Sequence, residues 1–267
     1  MFMRSLRVVS NRHVTRVLSL LAVGVLLTAC GAGDDPKPTP TPAPPPTAAP
    51  GALTVGGLLA RVDAAWPQVT SMRVTSTAGP VPTDDATVPS GVETTIEETV
   101  APDSRRIVRQ TDGATTDEQV YVGGKVYMYG AFVAGAVAPE VGPATWITVD
   151  PAAVPEDTPV GYQLAYLMRP QGSPFGSISA GMRARPVTAA GQAQVGGRTC
   201  TVYTFIDATG AGDRVEYELA LDEHDLPCQL VQRAGGFQNS SVFEVNVPGL
   251  TIVAPDTPTP VSGTPEG

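Results

Sequence analysis

The side chain with the clearest chemistry is the thiol of Cys30. It ends the stretch Leu27-Thr28-Ala29-Cys30-Gly31, directly after an apolar run. Small residues, cysteine and glycine in that order form the pattern of a bacterial lipobox. There a diacylglyceryl group is attached to the sulfur and the chain is cut before the cysteine. Arg4, Arg7, Arg12 and Arg16 give the N-terminus a basic start free of acidic residues. Val17 to Leu27 then forms an apolar run of about eleven residues, short of the roughly twenty a spanning helix needs. One acyl chain binds a membrane only marginally, whereas the two or three of a mature lipoprotein, palmitate among them, hold it durably. The expectation is a signal peptide over 1–29 and a cell-envelope protein lipid-anchored to the extracytoplasmic face of a bacterial membrane.

The other reactive residues carry less. Removing Cys30 from the three cysteines leaves Cys200 and Cys228, an even pair in an exported domain where bridges persist. A bridge is expected, with one objection. If the intervening strands pair in sequence, the two cysteines lie one strand apart, about 9.5 Å, beyond the reach of a disulfide. Cys228 must then swing across the strand end, which Leu226-Pro227 would permit. Beyond the signal there is one histidine, His224, and its neighbours Glu223 and Asp225 read as a solvated turn. Asp222, Glu223 and Asp225 lack the ligand spacing of a calcium loop. There is no G-x-S-x-G, H-E-x-x-H or phosphate loop. Gly123-Gly124 and Gly196-Gly197 are hairpin glycines, and Arg105 and Arg106 read as salt-bridge partners at a strand edge before they read as headgroup contacts. No catalytic residue, metal site or cofactor is expected.

The charge balance points the same way. The chain carries 17 Lys+Arg and 26 Asp+Glu, a formal charge of −9. Loss of the four signal arginines leaves 13 Lys+Arg against the same acids, a charge of −13. Such a protein is repelled by phosphate backbones and anionic headgroups, so nucleic acid is excluded as a partner.

The elements that must position any site begin after a tether. Residues 30–52 carry the lipidated cysteine and a proline-rich run with no hydrophobic periodicity, an extended spacer reaching roughly 65–70 Å. The domain spans 53–255, and 256–267 is a Pro/Thr/Gly-rich tail expected to be disordered. Thr54 caps a first helix whose Val55, Leu58, Leu59, Val62 and Trp66 form one apolar stripe ended by Pro67. Strands are predicted over Val69–Ser76, Val92–Val100, Ser104–Thr111, Gln119–Val122, Lys125–Tyr129 and Trp146–Val149. In the second of these, Val92, Thr94, Ile96 and Val100 alternate with Glu93, Thr95, Glu97 and Thr99. Thr158 caps a second helix carrying Val160, Leu164, Leu167 and Met168, stopped by Arg169-Pro170. Residues 171–185 have no clear assignment. Strands resume over Arg198–Ile206, Arg214–Asp222, Leu230–Arg233, Ser241–Val247 and Leu250–Val253.

Many one-sided strands and only two helical stripes pose a packing problem. A twisted sheet of about ten strands curls, and the economical cover is helices lying in its concave face. The fold class is therefore α+β: a curved antiparallel β half-barrel, a meander of about ten strands, with helices on its concave face. If the helices leave space, an apolar cavity remains. Its expected wall is Leu58, Leu59, Val62, Trp66, Leu164, Leu167 and Met168 on the helices, facing Val74, Ile96, Val202, Tyr217 and Leu219 on the strands.

The order of elements resembles that of LolA/LolB-type lipoprotein carriers and LppX/LprG-type envelope lipoproteins. The matching stretches are the opening helix and strand (Leu58 to Thr75), Ala101-Pro102-Asp103 before Arg105-Arg106, the hairpin Val120 to Tyr127, and the mid-chain helix. Val195-Gly196-Gly197 before Tyr203, Asp222 to Pro227 and Leu250 to Pro255 complete them. The resemblance covers most of 53–255 and departs from it in the Pro/Gly-rich stretches Pro80–Gly91 and Gly130–Pro143. It implies a non-catalytic, membrane-anchored binder or carrier of lipids or acylated molecules, with a lipid or acyl-chain ligand and an envelope transport protein as partners. The competing reading is a structural or protein-interaction module of the envelope with a filled core.

Overall fold

The structure is a computed structural model that describes residues 52–81, 92–130, 141–142, 144–154, 156–169, 172–175, 178, 180–208 and 214–260. These fall within one compact unit, Pro44–Gly267. The signal, Cys30, nearly all of the tether and most of the two Pro/Gly-rich stretches lie outside the described residues.

The strands are β1 (Ser71–Pro80), β2 (Val92–Thr99), β3 (Ser104–Thr111), β4 (Ala114–Val122), β5 (Lys125–Gly130) and β6 (Ile147–Val149). After a 3-10 turn and two α-helices come β7 (Thr188–Val195), β8 (Arg198–Ala208), β9 (Arg214–Leu221), β10 (Pro227–Ala234), β11 (Phe237–Val245) and the two-residue β12 (Thr259–Pro260). Eleven of them form an open antiparallel sheet in the order β6-β5-β4-β3-β2-β1-β11-β10-β9-β8-β7, with β12 parallel to β6 at the edge. The expected curved half-barrel is therefore present, with a particular topology. The chain runs outward from β1 to β6, crosses to the opposite edge, and returns from β7 so that β11 lies against β1.

Local chemistry explains the turns. Gly123-Gly124 and Gly196-Gly197 both have positive φ at both residues, the conformation a two-residue hairpin requires and glycine supplies without a Cβ clash. Helix α1 (Val55–Ala65) is capped as expected, with Thr54 Oγ1 accepting from the Gly57 N–H at 3.1 Å. Its Val55, Leu58, Leu59 and Val62 are at most 1 % exposed, each burial stabilising by about 1.5–3 kcal/mol. Helix α2 (Pro159–Leu167) is capped by Thr158, whose Oγ1 accepts from the Gly161 N–H at 3.0 Å. The stretch without an assignment holds a one-turn helix, α3 (Ala180–Arg183). It packs so closely on α1 that a Cβ on Gly56 would sit 3.0 Å from the Arg183 carbonyl oxygen.

Two expected elements differ. The stretch Leu250–Val253 is not a strand. It lies over the outer face, where Ile252 packs with Val120 and Tyr127. Its period-two pattern suits a strand equally, but one buried residue, Ile252, is all it supplies to the core. Strand β7 was not visible beyond Val195, because Thr188 to Gln194 are small or polar and almost wholly exposed at the sheet edge. The described residues also extend past Pro255 into the expected tail, where Thr259 and Pro260 pair with Ile147 and Thr148.

Cys200 and Cys228 are bridged, with their Cα atoms 6.6 Å apart. The geometric objection is met by a bulge. Strand β10 shifts register between Pro227 and Gln229, and β8 pairs with β9 only from Thr201, so the bridge crosses the end of β9. It closes a separation of 28 residues, contributing roughly 3–4 kcal/mol in the chain-entropy model.

Candidate ligand-binding site

Strand register sorts the expected wall residues. Val74 faces Ile96 across β1 and β2, and both join Leu58, Leu59, Val62 and Leu219 in one buried cluster under α1. Trp66 and Tyr217 pack against that cluster while partly buried, Tyr217 stacked on Phe205 with ring centroids 4.9 Å apart. Leu164 and Leu167 lie in a second cluster, with Val126, Met128, Ile147 and Val149 under α2. Ile107 packs against both clusters, which places them on the same face of the sheet.

Two assignments are corrected. Val202 pairs with Ala220 and packs with the Cys200–Cys228 bridge on the opposite face. Its neighbour Tyr203 is the inward residue, because side chains alternate along β8 and Tyr203 sits opposite Leu219. Met168 is the C-cap residue of α2, its backbone already out of the helical conformation, and is 36 % exposed.

The space between helices and sheet is filled by side chains in this conformation: Leu58, Leu59, Val62, Leu164 and Leu167 are all 2 % exposed or less. Two open clefts, of about 320 and 530 Å³, lie along the outer-face segment that holds Thr251 and Ile252, away from both helices.

Between the two apolar clusters stands a buried ionic group that was not foreseen. Glu98 occupies the inward position of β2 two residues after Ile96, and Arg105 faces it from β3. Arg105 Nε donates to Glu98 Oε1 at 2.7 Å, and Arg169 Nη2 donates to the same oxygen at 3.3 Å. Arg105 is 1 % exposed, the largest fully buried side chain among the described residues. Its Nη1 donates to the backbone oxygens of Tyr166 (3.2 Å), Leu167 and Arg169 (3.3 Å). These carbonyls lie at and just beyond the C-terminal end of α2, where helical bonding runs out and a cation is favoured. Arg105 therefore fastens α2 to the sheet. The Arg169 guanidinium also lies over the Tyr166 ring, 4.5 Å from its centroid, and burial pushes the Tyr166 hydroxyl's pKa above its ordinary value. A second tie is Gln119 Nε2 of β4, which donates to Gln163 Oε1 of α2 at 2.8 Å.

Arg105 is therefore a buried ion-pair partner and not the expected strand-edge salt bridge. The signal for Glu98 was available: it interrupts the apolar register Thr94, Ile96, Val100. The other polar candidates are turn and surface groups. Asp222 Oδ1 accepts from the backbone N–H groups of His224 and Leu226, Asp225 pairs with Arg61, and the His224 side chain is exposed. Arg106 points outward to Glu118 and Glu97. No group of three or more metal-ligating side chains occurs among the described residues.

The architecture is thus an open antiparallel half-barrel with helices fastened across its concave face. No family model and no curated protein matches the sequence. Among solved structures, the chain is similar to the lipoprotein LppX of Mycobacterium tuberculosis: TM-score 0.45 and 10 % identity, over 74 % of this chain and 98 % of that one. It is similar to LprF from Mycobacterium bovis, with TM-score 0.45 and 14 % identity over 79 % of this chain and 100 % of that one. A LolA superfamily protein from Nitrosomonas europaea matches at TM-score 0.26 and 8 % identity, over 72 % of this chain and 92 % of that one.

Proposed function

We propose that the chain is a lipoprotein of the bacterial cell envelope, anchored through Cys30, that binds lipids or acylated molecules between α2 and the concave face of its sheet. The observation that carries this reading is how α2 is held. A nine-residue helix covers the cluster of Val126, Met128, Ile147 and Val149 with only Val160, Leu164 and Leu167, and its C-terminal half is tied to the sheet by one arginine and one glutamine. Swinging α2 away exposes a contiguous apolar surface that an acyl chain can cover in its place. The protein is then a cover in equilibrium with an open, ligand-competent state. Non-catalytic binding agrees with the exposed, turn-bound His224. The acidic balance favours capture through acyl chains over electrostatic capture by anionic bilayers.

Leu164→Ala tests the reading. Leu164 is 2 % exposed under α2, and its truncation is expected to cost about 2–5 kcal/mol of the closed state. Wild type should bind a fluorescent fatty acid, and the variant should melt lower yet bind the probe more tightly, because the population shifts toward the open state. If wild type binds no probe, the filled-core interaction module is the better reading. If the variant binds no more tightly, the ligand does not enter beneath α2.

A further inference from the structure

We infer that the guanidinium pair Arg105 and Arg169 is an anion subsite that receives the carboxylate or phosphate headgroup of an amphiphile. This rests on the acyl-binding reading above and adds a headgroup chemistry to it. The two arginines share a single carboxylate, Glu98, so the buried group carries one uncompensated positive charge. Two of its donors, Arg105 Nη2 and Arg169 Nε, are buried without a hydrogen-bond partner. Buried donors on charged groups are costly when left unpaired, and an anion supplies the acceptor such a donor lacks. Guanidinium is the side chain suited to carboxylate and phosphate, through its planar fork of N–H groups.

Position supports the assignment. Arg105 lies two residues from Ile107 on the same face of β3, and Ile107 touches both apolar clusters. Arg169 is 31 % exposed while Arg105 is 1 % exposed, so the pair runs from the surface at the end of α2 to the interior. An amphiphile whose chain replaces α2 against Val126 and Met128 would leave its headgroup beside this pair. The Tyr166 and Leu167 carbonyls of α2 that now accept from Arg105 Nη1 would depart with the helix, freeing further donors, while Arg169, beyond the helix end, stays on Glu98.

The test measures binding of pyrenedodecanoate, of the neutral pyrenedodecanol and of inorganic phosphate to the full chain held in amphipol. Charge-assisted hydrogen bonds predict that wild type prefers the carboxylate over the alcohol by roughly 10-fold to 100-fold. Arg169→Gln should bring the ratio close to one, and Glu98→Gln should raise it. Equal binding of the two probes by wild type, or an Arg169→Gln variant that melts lower yet keeps the preference, overturns the subsite. A thermal shift by inorganic phosphate that Arg169→Gln abolishes supports the subsite with a free anion as the source. If neither pyrene probe binds, the acyl-binding reading fails, and the phosphate arm alone then decides the anion site.

Discussion

Arg105→Met is expected to cost about 3–5 kcal/mol of stability, the effect of removing one partner of a buried ion pair. Three consequences combine. Glu98, at 5 % exposure, keeps only Arg169. The carbonyls of Tyr166, Leu167 and Arg169 lose their donor. The end of α2 then keeps only the packing of Leu164 and Leu167 and the Gln119–Gln163 bond to hold it. The loss should be local before it is global: amide hydrogen exchange over 159–167 should rise well above that of α1, which α2's fastening does not support. Arg105→Met combined with Glu98→Met should recover much of the stability, since replacing a buried pair by apolar side chains of similar volume is often close to neutral. Chemical denaturation of the single and double variants measures both. A single variant within about 0.5 kcal/mol of wild type would mean that Arg105 does not fasten the helix.

Cys30→Ala is expected to abolish membrane retention. The apolar run ahead of it is too short to span a bilayer, and stable anchoring by acyl chains needs at least two of them. Without the thiol neither can be attached by the lipobox route. The variant should appear in the soluble fraction or remain as uncut precursor. A mature-length band that still sediments with membranes would contradict the assignment. The sequence of residues 31–52 has no long apolar run that could hold the domain to a membrane in its place.

Most of the strand pattern was legible because its residues alternate. Ser104 to Thr111 was read with the bounds the structure gives, and Arg214 to Leu221 within one residue. Helix α2 was legible from Thr158 and Pro159, whose capping and first-turn preferences are local. Strand β7 was not, since Ala189, Ala190 and Gly191 have neither branched side chains nor alternation, and β7 exists by pairing with β8. The meeting of β1 with β11 was equally invisible, because Met72 and Val245 are far apart in sequence and no local signal joins them. Val202 illustrates a further limit. Val202 and Tyr203 are both apolar and adjacent, and only the register opposite Leu219 decides which points inward. The buried ionic group was hidden for the same reason. Arg105 reads as a surface residue until β2, β3 and α2 are brought together around Glu98.

The most direct test of acyl binding is mass spectrometry of organic extracts from the purified protein, compared with extracts of Leu164→Ala and Arg169→Gln prepared alongside. A diacylglyceryl group on Cys30 would stay covalently attached through extraction, so an extracted amphiphile reports a bound ligand. The expected result is a stoichiometric amphiphile with an anionic headgroup from wild type, retained or enriched in Leu164→Ala and depleted in Arg169→Gln. Extracts from all three that contain no amphiphile above background, together with no uptake when the protein is incubated with one, would contradict the central claim.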